Sequence, residues 1–472
     1  MKKYIYFFLN IVTISLCFDP VPNGNGIINS KYSHHSTDNL YFIFEHFRHG
    51  ARSPCEGTFI KQTDEFGGKW DNYGALTNIG IKQQFLLGKK NRKHYKNYIS
   101  KEYKSNEIKV YSTNYNRTIM SAQAQLMGFY YNLPSLSNES KFDDIYNEGK
   151  NYNDLKVIIP QINLFLKDES NNYKILFSEK FECKLPKQMI AKNMEKSSEL
   201  KIFNKIDEIR EKFNEKYINI FGKEFNKPNY TQKYKGMYKY CDIYISQYFD
   251  EGKNRKILDN LEKKYNFFNS SEVLDICYNF FYEKFLILES EVYAKDVSKI
   301  LMSRTLKNLL NIMKTRIEKN DQNYTSPDYP KFLLYSGHDD TLTQMQIFLN
   351  KHFNVNKEWV PFASNQIFEL RKYGKIFYIE IYYNNRLKMN ITFEQFEDIV
   401  SKNIYSENEI NKKCYGLRNS NYYSKFLALF IILMINIISF IILNIWIYLK
   451  SENSNIEKAP KIIMIKNKIS LY

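Results

Sequence analysis

Polar and apolar positions divide this chain into segments of different period. Residues 40–47, LYFIFEHF, are apolar at almost every position, the pattern of a strand buried on both faces. Residues 70–80 read as a loop, with Thr77 and Asn78 as helix-start groups before the apolar positions from Ile81 to Leu87. A short strand is expected over Ile108–Tyr111, then a loop from Ser112 to Arg117, then a helix over Ile119–Tyr130. Residues 141–320 are charged and mostly helical in period, clearest over 195–217 and 282–318, with 226–233 turn-like. Strand character returns at Phe332–Tyr335, followed by a helix over Leu342–Phe353. Gln366–Leu370 and Phe377–Tyr383 then form an antiparallel pair across Arg371–Lys375.

The sheet is therefore built from both ends of the chain, with a helical lobe inserted between them. The predicted fold is α/β: a mainly parallel sheet with flanking helices, plus a smaller inserted helical domain. The segments are a first core part at 40–140, a second lobe at 141–325 and a second core part at 326–415. In such a sheet, ligands collect beyond the carboxyl ends of parallel strands.

Two apolar segments lie outside this pattern. Residues 1–18 combine a charged start with a short apolar stretch, the form of a secretory signal, and a polar lead at 19–39 follows. Phe426–Leu449 is 24 residues without a charge, long enough as a helix to cross a hydrocarbon core of about 30 Å. A linker is expected at 416–425 before it and a cytoplasmic tail at 450–472 after it. Lys450, Lys458, Lys461, Lys466 and Lys468 outnumber Glu452 and Glu457 in that tail, as the positive-inside bias requires. The expectation is a single-pass type I membrane protein with a lumenal or extracellular main domain.

The net charge of +17 would ordinarily suggest a nucleic-acid partner, but the lysines are dispersed in Asn-, Ile- and Tyr-rich context without a basic arm or binding motif. Loss of the signal leaves Cys55, Cys183, Cys241, Cys277 and Cys414, spaced too widely for a metal knuckle and suited to disulfides in an exported domain. Glycosylation acceptors are Asn138, Asn229, Asn269, Asn323 and Asn390, while Asn116 is expected to stay unmodified beside Arg117.

The chemistry concentrates at strand ends. Arg48-His49-Gly50-Ala51-Arg52-Ser53-Pro54 follows the first strand, and Ser336-Gly337-His338-Asp339-Asp340 follows the strand at 332–335. A phosphate monoester needs cationic donors around its oxygens, an in-line nucleophile and a proton for the departing alkoxide. Arg48, Arg52 and Arg117 supply planar forks for the first task, and His338 helps hold the phosphoryl group. His49 attacks as a neutral imidazole once its other ring nitrogen is fixed by a hydrogen bond, for which a backbone carbonyl suffices. Asp339 protonates the leaving oxygen, with Asp340 as the alternative acid. His46 and His49 are three apart, but a strand points them differently and no further Cys or His completes a metal set. No metal or cofactor is expected.

These residues resemble the histidine acid phosphatases, particularly the prostatic and lysosomal branch. The similarity rests on Arg48–Pro54, on Tyr111–Ala122 with Arg117, and on Tyr335–Leu342, where the first Asp after His is the family's acid. Residues 74–80, 361–370 and 380–384 resemble framework segments. The resemblance implies a parallel-sheet core of phosphoglycerate-mutase type, a smaller helical domain, no metal, a phosphohistidine intermediate, small phosphate-monoester substrates and a homodimer. It also implies a Cys183–Cys241 disulfide, whereas Asn365 and Gln366 stand where the family often has another cysteine. The anchored form resembles a lysosomal enzyme, which implies a lysosome, acidic vacuole or cell surface. The alternatives are a phytase-like or inositol-polyphosphate phosphatase, disfavoured by His338-Asp339 in place of His-Ala-Glu, and a catalytically silent membrane receptor of the same fold.

Overall fold

In the computed structural model, the described residues are 37–55, 70, 72–130, 162–165, 207–213, 215–217, 230–250, 252–266, 269–283 and 294–456. The signal segment, most of the polar lead, Asn138, Asn229, Cys183 and the end of the tail lie outside them. The chain forms two units, Met1–Ser406 and Glu407–Tyr472.

The first unit is organised around β1 (Leu40–Arg48), every residue of which is buried. It is followed by α1 (Asn78–Tyr95), β2 (Ile108–Thr113), α2 (Asn116–Tyr130) and β3 (Ile162–Phe165). The helical lobe contributes α3 (Tyr230–Tyr248), α4 (Lys253–Lys264), α5 (Ser270–Phe281) and α6 (Ala294–Lys319). Then come β4 (Phe332–Gly337), α7 (Asp339–Phe353), β5 (Asn365–Tyr373), β6 (Ile376–Tyr383), β7 (Arg386–Thr392) and α8 (Phe393–Asn403). Helix α3 begins at Tyr230, so residues 230–233 are helical rather than turn-like.

The seven strands run in the order β3-β2-β4-β1-β5-β6-β7. This corrects the expectation of a mainly parallel sheet. Pairings β2–β3, β2–β4 and β1–β4 are parallel, but β1–β5, β5–β6 and β6–β7 are antiparallel and together make up more of the sheet. The cause is local. Only two residues separate β6 from β7, Asn384 and Asn385, and both have positive φ (47° and 65°), the conformation of a tight hairpin. So short a connection cannot join parallel neighbours.

Strand β1 sits mid-sheet, with a different core on each face. Phe42 and Phe44 pack with Leu306 of α6, Phe348 of α7 and Phe396 of α8. Leu40, Ile43 and Phe47 pack with Tyr95 of α1 and Leu126 of α2. A register shift between Leu40 and Phe42 puts Tyr41 on the same side as Phe42. A third core joins α3, α4 and α5 and takes in Ala51, Trp359 and Phe362, which tie the lobe to the end of β1. The lobe is stapled by a Cys241–Cys277 disulfide between α3 and α5. Cys241 therefore has a different partner from the Cys183 implied by the resemblance.

The second unit is α9 (Glu407–Ile456), continuous through residues 416–425. Its segment Phe426–Lys450 has a mean hydropathy of 3.0 over its most apolar stretch and is long and apolar enough to cross a membrane.

Candidate active site

Strand register brings the two chemical motifs together. In the parallel ladder Arg48 is level with Gly337, so His49 and His338 leave the sheet side by side, their ring centroids 5.5 Å apart. In the neighbouring ladder Ser112 is level with Ser336, which puts Thr113 beside His338. The site thus lies beyond the carboxyl ends of β2, β4 and β1, at the N-termini of α2 and α7, where backbone N–H groups and helix dipoles favour an anion.

The backbone around His49 is tightly held. His49 N–H donates to the Gly337 carbonyl, Arg48 N–H to that of Ser364, and Ala363 N–H to that of His49. The Gln84 amide of α1 donates to the Arg48 carbonyl at 2.9 Å. Gly50 passes so close to Gly80 that a Cβ on Gly50 would fall 2.2 Å from the Gly80 carbonyl oxygen. Helix α1 can approach because Thr77 caps it, accepting from Gly80 N–H, while the Thr77 hydroxyl donates to the Ala51 carbonyl.

His49 is buried, and its Nδ1 lies 2.8 Å from the Gly50 carbonyl. A carbonyl only accepts, so Nδ1 carries the hydrogen and Nε2 the lone pair. Burial, reinforced by the charges of Arg117, Arg48, His338 and Arg52, holds the imidazole well below its usual pKa and keeps it neutral.

Arg48 donates through Nη1 to the Val360 carbonyl at 2.6 Å and pairs through Nη2 with Asp339 at 2.8 Å. Its guanidinium lies 4.4 Å from the Phe362 ring centroid. Arg52 pairs with Asp242 at 2.8 Å, and Arg117 stacks 4.5 Å from the Tyr115 centroid. The Nε–H groups of Arg48, Arg52 and Arg117 are all buried and make no hydrogen bond among the described residues. Buried donors of this kind are costly unless a ligand satisfies them.

Arg117 Nη2 lies 3.5 Å from His338 Nδ1, and Thr113 Oγ1 lies 3.0 Å from His338 Nε2. Asp339 opens α7 and faces Arg48, whereas Asp340 accepts from Thr341 N–H and the Thr341 hydroxyl. The structure therefore brings Arg48, His49, Arg52, Arg117, His338 and Asp339 into one site. His46 lies away from it, its ring among Phe44 and Tyr335.

Sequence reasoning missed Asp242, Gln84 and the aromatic wall. Tyr238, Ile245, Tyr278, Phe281, Trp359 and Phe362 line a pocket with Arg48, Arg52, Asp242 and Asp339. Phe362 lay within the framework segment 361–370, but Asp242 sits in a lobe with no local motif.

Residues 38–384 match the family described as the histidine phosphatase superfamily (branch 2). Lysosomal acid phosphatase of Xenopus laevis is 41% identical over 92 residues, 19% of this chain and 21% of that protein. Prostatic acid phosphatase of Bos taurus is 23% identical over 377 residues, 80% and 84% of the two chains. Among solved structures, the phytase from Citrobacter braakii superposes with a TM-score of 0.55 at 12% identity, covering 78% of this chain and 98% of the phytase. The Klebsiella sp. ASR1 phytase gives 0.51 at 14% identity, covering 78% and 96%. These likenesses show the fold.

Proposed function

The chain belongs to the histidine phosphatase superfamily, branch 2, and from that premise we propose that it is a membrane-anchored acid phosphatase of the prostatic and lysosomal kind, acting on small phosphate monoesters. Membership supports phosphatase-type enzymatic activity. One observation carries the finer reading: three guanidinium Nε–H donors, buried and without partners among the described residues, around a buried neutral imidazole.

In this reading the nonbridging oxygens take up the donors of Arg48, Arg52 and Arg117, with His338 as a further contact. His49 Nε2 attacks phosphorus as the ester P–O bond breaks, and Asp339 gives its proton to the departing oxygen. Asp339 is an ion-pair partner of Arg48, so the arriving phosphoryl group must take over that arginine, and Asp339 must gain a proton from bulk water or from the entering monoester, before it can act as an acid. The resulting Asp339 carboxylate then accepts a proton from a water that attacks the phosphohistidine. Inorganic phosphate leaves, Asp339 releases the proton to solvent as its pair with Arg48 re-forms, and both side chains are back in their starting states. The apolar helix anchors the chain, with the catalytic unit on the lumenal or extracellular side of an acidic compartment or of the cell surface.

The test is phosphate release from an aryl monoester by the detergent-solubilised full chain, from about pH 4 to about pH 8 with a chelator present. Metal-independent activity greatest in the acid range is expected, reduced by at least about 10³-fold in His49→Ala. Undiminished activity in His49→Ala would refute the nucleophile.

A further inference from the structure

Helix α3 presents Tyr238, Asp242 and Ile245 to the pocket, spaced i, i+4, i+7 on one helical face. Asp242 is buried and its carboxylate is fully engaged. Oδ1 accepts from Arg52 Nη2 at 2.8 Å, while Oδ2 accepts from the Cys55 backbone N–H at 2.9 Å and from Arg52 Nη1 at 3.5 Å. Arg52 Nη1 also donates to the Ser53 carbonyl at 2.9 Å. The terminal edge of the Arg52 fork is thereby taken up, and its Nε–H remains buried and unbonded.

We propose that Asp242 is a positioning residue: it grips the terminal edge of Arg52 from the helical lobe and turns the Nε side of that guanidinium toward the phosphoryl oxygens. The inference rests on the phosphatase reading of the same site.

Three features support it. The grip is two-pronged, so it fixes the plane of the guanidinium as well as its position. The Cys55 contact secures the chain just beyond Arg52 to the same carboxylate. The neighbouring residue Cys241 is bonded to Cys277 of α5, and Tyr278, next along α5, lines the same pocket. The disulfide thus fixes the helix face that carries Asp242. Burial works against the charged form of Arg52, but the charge and hydrogen bonds of Asp242, together with Cys55 and Tyr238, raise the guanidinium pKa, so Arg52 stays charged. A carboxylate beside a phosphate site repels the ligand, so its presence there calls for a compensating role, and orientation of Arg52 is one.

A positioning role and a purely electrostatic one predict opposite signs. If Asp242 orients Arg52, Asp242→Asn weakens inhibition by inorganic phosphate about 10-fold and lowers kcat/KM by about 10²-fold. If it only adds negative charge, the same variant binds phosphate more tightly. A double-mutant cycle on the full chain then tests whether Asp242 acts through Arg52. In an Arg52→Ala background, adding Asp242→Asn is expected to cost less than about 3-fold, and Asp242→Glu alone is expected to recover part of the native activity. Arg52→Ala leaves a buried carboxylate unpaired, so if that variant fails to fold, Arg52→Gln takes its place in the cycle. Tighter or unchanged phosphate inhibition in Asp242→Asn, or an equal loss in both backgrounds, overturns the inference while native hydrolysis stands. Absence of hydrolysis by the native chain overturns the phosphatase reading, and this inference with it.

Discussion

The six residues of the site differ in how much their neighbours already occupy them. In the proposed mechanism His49 is already prepared as the nucleophile, since the Gly50 carbonyl sets its tautomer and burial with surrounding cations keeps it unprotonated. Protonation of His49 is therefore not expected to set the acid limb of the pH–rate profile. Asp339 is a partner of Arg48, and in the proposed mechanism it acts as an acid only after phosphate displaces it and it gains a proton. Its removal should accordingly depend on the leaving group. Asp339→Asn is expected to lose about 10²–10⁴-fold in kcat on an alkyl phosphate and much less on nitrophenyl phosphate, whose oxyanion departs without a proton. Equal losses on both substrates would deny Asp339 that role. The convergence of these residues was legible in the sequence because each lies in a contiguous string after a strand. Asp242 was not, because only the packing of α3 against the end of β1 gives it a partner.

Strand β1 shows what the central element contributes to stability. Glu45 is fully buried and hydrogen-bonded by the amides of Asn91 (2.6 Å) and Asn365 (2.7 Å). Burial raises its pKa from 4.5 to about 7, whereas burial lowers that of His46 from 6.5 to about 3. The signs oppose. Folded Glu45 holds a proton that the unfolded chain has lost, so between those two values stability falls as pH rises. Folded His46 refuses a proton that the unfolded chain takes up, so stability falls as pH drops from 6.5 toward 3. The first cost, about 3 kcal/mol above neutrality, is removed by Glu45→Gln. Asn91 Oδ1 is buried without a partner, so a flipped Asn91 amide can accept from the new Gln. Thermal melting of Glu45→Gln should exceed that of the native chain at about pH 8 and coincide with it at about pH 4. An equal gain at both pH values would contradict the assignment. At this scale the sequence was read unevenly. The β5–β6 hairpin was legible, but a strand buried on both faces looks the same whether its neighbours run parallel or antiparallel. Strand β7 and helix α8 went unread, although Thr392 and Gln395 form a capping box that marks the start of α8.

At the scale of the whole molecule, one unit carries the mixed sheet and helical lobe, and the other carries a helix with a 25-residue candidate span. The candidate span was legible because its apolarity is uniform over a length that suffices to cross a bilayer. The helical lobe was legible only as helix, since charge and compositional drift conceal which face meets the sheet. Its contribution became visible through Asp242, the aromatic wall and the disulfide. The net charge of +17 is distributed across the chain and does not define the chemistry. The proposed mechanism centres on one covalent bond, between His49 Nε2 and phosphorus. The most direct test is to mix the full chain with an excess of phosphate monoester, quench within a turnover into alkali, where phosphohistidine survives, and map the modified peptide by mass spectrometry. This mechanism predicts phosphate on His49 in the native chain and none in His49→Ala. An active native chain with no phosphorylated His49, or with the phosphate on another residue, would contradict it.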